Sequence, residues 1–438
     1  MRLSISDMLL RSVWQWCGGQ GVTLSGKTVL CAVSGGRDSV ALLHLLLRLG
    51  QREGFGVAAA HYNHHLRDTA QRDEDLVRRW CGERGVALVV GGGDVLSYAK
   101  ARGTSVEDAA RILRYAFLDD TAQECGADYI ATAHHRQDNA ETVLLHLLRG
   151  SGLAGLGGIP PVRGHIIRPL LDVSRAQIDA YIRENGLPYA EDETNADIAY
   201  TRNRLRLELL PLLEEIAPGS VERIADTAAR LRQDEAFMQK AALLPEGVCE
   251  LAVSLLKKQD PPIAVRLVRK AAQNAGGELT FAQTEAALNL KNGASLSLGG
   301  GLRAAREGDV LRFYRVSDAP APMPLRSGEQ IWGDFLISVR ETEKEIAKNE
   351  SCVVLCTAVG ELTVAAWDGT GRLGVENGRR TVKRLFADQG IRVWQRENCP
   401  ALYADGKLVA VLGAGAEFAL VPKPGEKKIV VQFENKYK

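Results

Sequence analysis

Four short apolar runs, each followed by a longer amphipathic or charged stretch, fill the first 150 residues, and this alternation constrains the fold most. Residues 28–33 are β-rich and lead into an amphipathic stretch at 40–49. Residues 57–61 precede a charged helical stretch through Asp75 and Trp80, and 86–90 precede a long predicted helix over 106–124. The fourth pair is 129–133 and 140–148. Strands alternating with helices of this length predict βαβ units, and hence an α/β fold: a parallel twisted sheet with helices on both faces. In such sheets ligands bind at the carboxyl ends of the strands. Residues that follow strands, at 34–39, 61–67 and 134–141, are therefore the first candidates for chemistry.

At 438 residues the chain exceeds what one hydrophobic core supports, and the pattern changes after residue 150. Residues 150–161 are glycine-rich and end in Pro160-Pro161, which predicts a loop leaving the sheet. Helices are expected over 174–185, with a serine cap, and over 203–215, flanking a polar turn at 191–197. A long charged helix is expected over 221–242. Residues 265–312 read as a smaller mixed domain with strands at 295–298 and 310–314. Pro320, Pro322 and Pro324 punctuate a linker, and 352–433 form a last α/β-looking piece. The expected domains are thus 1–216, 217–320 and 350–438, the last two being the smaller, C-terminal ones.

Composition narrows the setting. Formal net charge is +1, so no global field draws the molecule to nucleic acid, and any RNA contact rests on local basic patches. Leu9, Leu10, Val13 and Trp14 read as one face of an amphipathic helix rather than a secretory segment. No apolar run approaches the roughly 18 residues that cross a bilayer, so no membrane partner is expected. None of the eight cysteines shows C-x-x-C spacing, and Cys352 and Cys356 lie in a strand-like segment as core residues. A reducing, cytoplasmic location without structural zinc follows. Asn349-Glu350-Ser351 is a formal glycosylation acceptor without meaning there.

Two stretches compete for a phosphate. Residues 21–28 satisfy a Walker A pattern by letter, but the strand follows them instead of preceding them, so they read as a turn. Ser34-Gly35-Gly36-Arg37-Asp38-Ser39 has the right context of strand, glycine turn and helix. Its glycines allow close backbone approach to an anion, the new helix adds its positive end, and both serines can donate. Asp38 would repel a bare phosphate, so its presence points to Mg²⁺ between them. A serine and aspartate cap on a helix would look the same. Farther on, Asp138 and Glu141 lie three apart, on one face of a helix start, where a capping arrangement is the alternative. His134, at the end of a buried strand, is either a ligand contact or a satisfied core histidine.

Ser-Gly-Gly-x-Asp-Ser after the first strand resembles the PP-loop of the N-type ATP pyrophosphatases, the adenine nucleotide alpha hydrolase-like fold. The block from His134 to Thr142, closing with Arg149-Gly150-Ser151-Gly152, is similar to a motif of the tRNA(Ile)-lysidine synthase family. Three further blocks agree: residues 107–115; Glu191-Asp192-Glu193-Thr194-Asn195 with residues 202–206; and 378–386 with Arg396, Pro400 and Gly413. Family members often carry Ser at Thr194 and Gly at His65. The resemblance implies a PP-loop catalytic domain over 1–216, a helical linker and small domain over 217–320, and a tRNA-binding domain over 350–438.

It also implies the reaction: the wobble cytidine of tRNA(Ile) with a CAU anticodon is adenylated by ATP and then attacked by free L-lysine. On that resemblance, Ser34, Gly35, Gly36, Arg37, Asp38, Ser39, His61 and His134 bind ATP, with Asp38 also holding Mg²⁺. Asp138 and Glu141 bind lysine and act in catalysis with Asp38 and Arg111. Arg114, Arg202, Arg206, Arg379, Arg380, Lys383 and Arg384 contact tRNA. Rival readings are a tRNA thiolase, which lacks its paired cysteines here, an amidating synthetase without its ammonia source, and a silent nucleotide- or RNA-binding module. Oligomeric state stays open, a homodimer included.

Overall fold

A computed structural model describes residues 4–66, 70–190, 201–345 and 351–436. It forms two compact units, Met1–Phe237 and Met238–Lys438.

The first unit is built on a six-stranded sheet. Its strands are β1 (Thr28–Ala32), β2 (Gly56–Asn63), β3 (Leu88–Gly92), β4 (Tyr129–Ala131), β5 (Val162–Arg163) and β6 (Ile166–Ile167), in the order β3-β2-β1-β4-β6-β5. All neighbours pair in parallel except β5 and β6. Central β1 is buried on both sides, and its alternation sorts residues between two cores. Val29 and Cys31 pack with α1 (Ile5–Gly19), α2 (Arg37–Glu53), α3 (Ala70–Glu83) and a later helix, while Leu30 packs under Leu118 and Ala122. Those two belong to α5 (Val106–Glu124), which follows the short α4 (Val95–Arg102).

Local signals set the helix limits. Ser105 caps α5 by accepting from the Asp108 N–H, and α2 stops at Gly54, whose φ of 75° is left-handed. After β4 come α6 (Arg136–Leu148) and α7 (Leu153–Leu156). Residues 150–161 hold no strand, as expected of a loop, apart from the short α7, but the chain then returns to the sheet as β5 and β6, which the sequence pattern missed. Two-residue strands are too short to leave a period-2 signature. Then α8 (Arg175–Asn185), opened by a Ser174/Gln177 capping box, completes the first core. Next are α9 (Thr201–Arg204), a π-helical turn (Leu205–Leu209), α10 (Leu210–Ile216) and α11 (Ser220–Ala241).

In the second unit, helices Pro261–Asn274 and Phe281–Leu288 cover a four-stranded antiparallel sheet made by residues 250–252 and 295–315. Two further antiparallel sheets share a core around Ile337, Leu355, Val364 and Val431. A hairpin of Arg372–Val375 and Gly378–Thr381 leads into helix Val382–Asp388. Cys352–Cys356 is a strand, but Val353 and Leu355 take its buried positions and the two cysteines are half-buried.

Candidate active site

The turn between β1 and α2 is a closed, hydrogen-bonded cradle at the carboxyl edge of the sheet. Ser39 Oγ donates to the Gly36 carbonyl at 2.8 Å and accepts from the Ser34 N–H at 3.1 Å, and the two serine hydroxyls meet at 3.2 Å. Gly35 has φ of 88°, and a Cβ there would come within 3.2 Å of the Asp73 carbonyl. Only glycine fits that turn. From below, residue 190 braces it: the Ala190 N–H donates to the Gly35 carbonyl at 2.9 Å. The Walker-like residues are elsewhere, in a turn with Gly26 at φ 72° and Lys27 paired to Asp128 at 2.8 Å.

Asp38, in the first turn of α2, faces across the cradle. Its Oδ2 takes a 3.0 Å hydrogen bond from Arg175 and lies 3.8 Å from His135 Nε2, while its Oδ1 is buried with no partner. Burial raises its carboxyl above the usual range, against the pull of His135 and Arg175. Arg37 turns away, pairing with Asp179 at 2.6 Å and lying 4.8 Å over the Tyr189 ring.

Beyond His135, the start of α6 carries the carboxylate pair. Asp138 accepts from the His135 N–H at 2.9 Å, and Glu141 one turn later is fully buried. Both carboxylates are gripped by the segment after α8. Arg206 donates to Glu141 at 2.6 and 3.0 Å and to Asp138 at 3.0 Å; Arg202 donates to Glu141 at 2.9 Å and reaches Asp138 at 3.5 Å. Burial disfavours the Asp138 carboxylate, but the two histidines, Arg202 and the His135 N–H outweigh it and hold its pKa below the usual range. His134 bonds Thr132 at 3.0 Å, and burial drops its pKa to about 3, so its imidazole is neutral at pH 7.

Sequence comparison places this geometry in a lineage. Residues 17–213 match the model of the PP-loop domain, and residues 362–433 match that of the TilS substrate C-terminal domain. A curated tRNA(Ile)-lysidine synthase of Geobacter sulfurreducens is 33% identical, over 94% of each chain. One from an Azoarcus species is 34% identical over 91% of this chain and 90% of that one. The chain belongs to the tRNA(Ile)-lysidine synthase family. A family member from Parabacteroides distasonis is 45% identical over 48% of this chain and 47% of its own.

Several residues that the sequence pointed to in this lysidine synthase family converge on the site, and others do not. Ser34, Gly35, Gly36, Asp38, Ser39, His134, Asp138 and Glu141 line it, with Arg202 and Arg206 directly on the carboxylates, whereas Arg37 points away to Asp179. Arg114 is half-buried near His134 and Arg111 is exposed on the same helix. His61 is buried, and its Nδ1 is 2.8 Å from the Val33 carbonyl, so it supports the cradle from inside. His65 has φ of 51°, a left-handed conformation that favours glycine, in keeping with the glycine expected there from the resemblance. Arg379, Arg380 and Arg384 lie exposed on the C-terminal hairpin and helix, paired with Glu417 or Asp388 at 2.9–3.5 Å; Lys383 is exposed beside them. Arg67 and the polar stretch 191–197, with Thr194, fall outside the described residues. Missed from sequence were His135, Arg175 and Asp179. The Ser174 cap that announces α8 was the available signal for Arg175, since the cap sets its first turn beside the sheet edge.

Proposed function

We propose that this chain makes lysidine at the wobble cytidine of tRNA(Ile) with a CAU anticodon, consuming ATP and free L-lysine and releasing AMP and pyrophosphate. The observation that carries this reading is the juxtaposition across His135 of a phosphate cradle bearing Asp38 with a buried carboxylate pair. One edge suits an electrophile made from a triphosphate, the other an amine.

In the first step the cytosine 2-oxygen attacks the α-phosphorus, an O–P bond forms, and the bond to the β-phosphate oxygen breaks. N–H groups of the cradle and its serine hydroxyls receive the departing pyrophosphate. Asp38 Oδ1, buried without a donor, fits a cation, and Mg²⁺ held there by Asp38 would neutralise charge on the phosphates.

In the second step the lysine ε-nitrogen bonds to C2, the C2–O bond breaks, and AMP leaves with the oxygen. Free lysine has a side-chain pKa of about 10.4, so the ammonium must lose a proton on the enzyme. Asp138, held ionised, anchors it, and Glu141 accepts the proton. Arg202 and Arg206 already occupy both carboxylates, so the ammonium takes a seat that a guanidinium gives up. Phosphates of tRNA are the natural destination of a released guanidinium, which connects these two arginines to RNA. The C-terminal basic cluster adds a second RNA contact.

Incubation of the full chain with ATP, labelled lysine and bulk tRNA tests the reading. Label should enter RNA only with ATP and Mg²⁺ present; ATP turnover without RNA labelling would overturn it.

A further inference from the structure

The residue after β6 is an unusual cation. Arg168 is only 3% exposed, and its Nη1 donates to the Pro160 carbonyl at 2.6 Å. Its Nε is buried with no partner. This guanidinium and that of Arg114 both interact electrostatically with the Tyr115 phenol. Arg114 and Arg111 lie 5.4 and 5.8 Å from the centre of that ring. Three guanidiniums therefore gather around one phenol: Arg168 buried, Arg114 half-buried and Arg111 exposed. Among the described residues no carboxylate forms an ion pair with any of the three.

Buried charges in folded proteins are paired, because desolvation without compensation is expensive. Here burial first, and then repulsion from Arg111 and a further arginine in each case (Arg202 for Arg114, Arg163 for Arg168), weaken the protonated form of both. An anion would relieve both effects and satisfy the orphan Nε. The cluster also stands where ligands of such a sheet bind: Arg168 directly follows β6, which pairs with β4, and His134 follows β4. His134 feels Asp138, Arg168, Arg114 and Arg202 together, so the cluster adjoins the carboxylate pair.

We propose that Arg168 is the floor of an oxyanion pocket, with Arg114 and Tyr115 its wall and Arg111 its rim, and that it holds the α-phosphoryl group of the nucleotide. The assignment to that phosphate rests on the function proposed above. The cradle after β1 accounts for the β- and γ-phosphates, while the group that leaves as AMP must lie within reach of both the cytosine and the amine. A tRNA phosphodiester offers the same chemistry, but a floor only 3% exposed favours a small phosphate over a polymer backbone. Guanidinium forks match phosphate oxygens two at a time, which a lysine cannot reproduce.

The test is calorimetric titration of the full chain with AMP and with adenosine, for the wild type, Arg168→Gln, Arg168→Lys and Tyr115→Phe. The wild type should bind AMP more tightly than adenosine. Arg168→Gln should weaken AMP about 10- to 100-fold, as for a lost charge-assisted hydrogen bond, and leave adenosine within about twofold. Arg168→Lys, which keeps the charge and serves if the glutamine variant fails to fold, should lie between. Tyr115→Phe should lower AMP affinity less than either. Equal losses for both ligands, or a lowered melting temperature with the AMP-to-adenosine ratio kept, would mean a structural arginine and overturn the proposal. So would an unchanged ratio with weaker tRNA binding and a salt slope reduced by about one, which would give the pocket to an RNA phosphate. Failure of lysidine formation by the wild type leaves the AMP-to-adenosine ratio readable, so the two ideas fail separately.

Discussion

Glu141→Gln removes one charge from the most enclosed carboxylate of the site and leaves its shape. Glu141 is fully buried and accepts three hydrogen bonds, from Arg202 at 2.9 Å and from Arg206 at 2.6 and 3.0 Å. Breaking a fully buried ion pair costs about 3–5 kcal/mol. The arginine side chains are 38% and 32% exposed, so water screens them and a loss of about 1–3 kcal/mol is the better expectation. For a unit of this size that corresponds to a melting temperature lower by about 2–10 °C. The chemical effect should be larger and confined to one step. Loss of a positioned proton acceptor lowers a rate by about 10²–10⁴. Single-turnover reactions with ATP labelled at the α-phosphate and saturating lysine separate the steps. Pyrophosphate release should stay within a few-fold of wild type, while label accumulates on tRNA and lysine incorporation collapses. Near-normal lysine incorporation would remove Glu141 from this role, and equal loss in both steps would make it structural.

Other perturbations probe other parts. Asp38→Asn should abolish pyrophosphate release while tRNA binding, read by filter retention, persists. Arg202→Gln should tighten lysine binding in the absence of tRNA, because one competitor for the carboxylates is gone; calorimetry reads this directly. Replacing Arg379, Arg380, Lys383 and Arg384 by Gln should weaken tRNA binding and flatten its salt dependence, and unchanged binding would refute that contact. His44, bonded to the Tyr181 hydroxyl at 2.8 Å, has its pKa lowered from 6.5 to about 4, by burial first and then by Arg48 and Arg84. Its unfolded form takes up a proton below pH 6.5 and its folded form does not, so stability is constant above that pH. As pH falls toward about 4 it should decline by up to about 1.4 kcal/mol per unit. Denaturant titrations of His44→Phe across that window should show a slope shallower by one proton.

Much of the first unit was legible because its physics is local. Central strands buried on both faces read as apolar runs, and the Ser-Gly-Gly-x-Asp-Ser turn carries its glycines where backbone geometry demands them, as Gly35 shows. What escaped was decided by tertiary placement. β5 and β6 are two residues each, so their membership in the sheet, and with it the position of Arg168, leaves no pattern. Arg202 and Arg206 were legible as cations near a motif, but their carboxylate partners lie more than 60 residues away in sequence. Position 65 was flagged only through the resemblance, and its left-handed backbone is a conformation that favours glycine.

Charge balance ties these pieces together. Three carboxylates of the site, Asp38, Asp138 and Glu141, are met by Arg175, Arg202 and Arg206, while Asp179 pairs with Arg37 and Arg175. An incoming ammonium alone would have to expel a guanidinium into water, losing one ion pair to make another. A triphosphate and an RNA backbone change that exchange, because each offers an arginine a second anion with bidentate geometry. On the proposed function, then, lysine should bind well only after nucleotide and tRNA have drawn Arg175, Arg202 or Arg206 off the carboxylates. Such an order protects the chemistry: the amine reaches its seat only when an activated base is there to receive it.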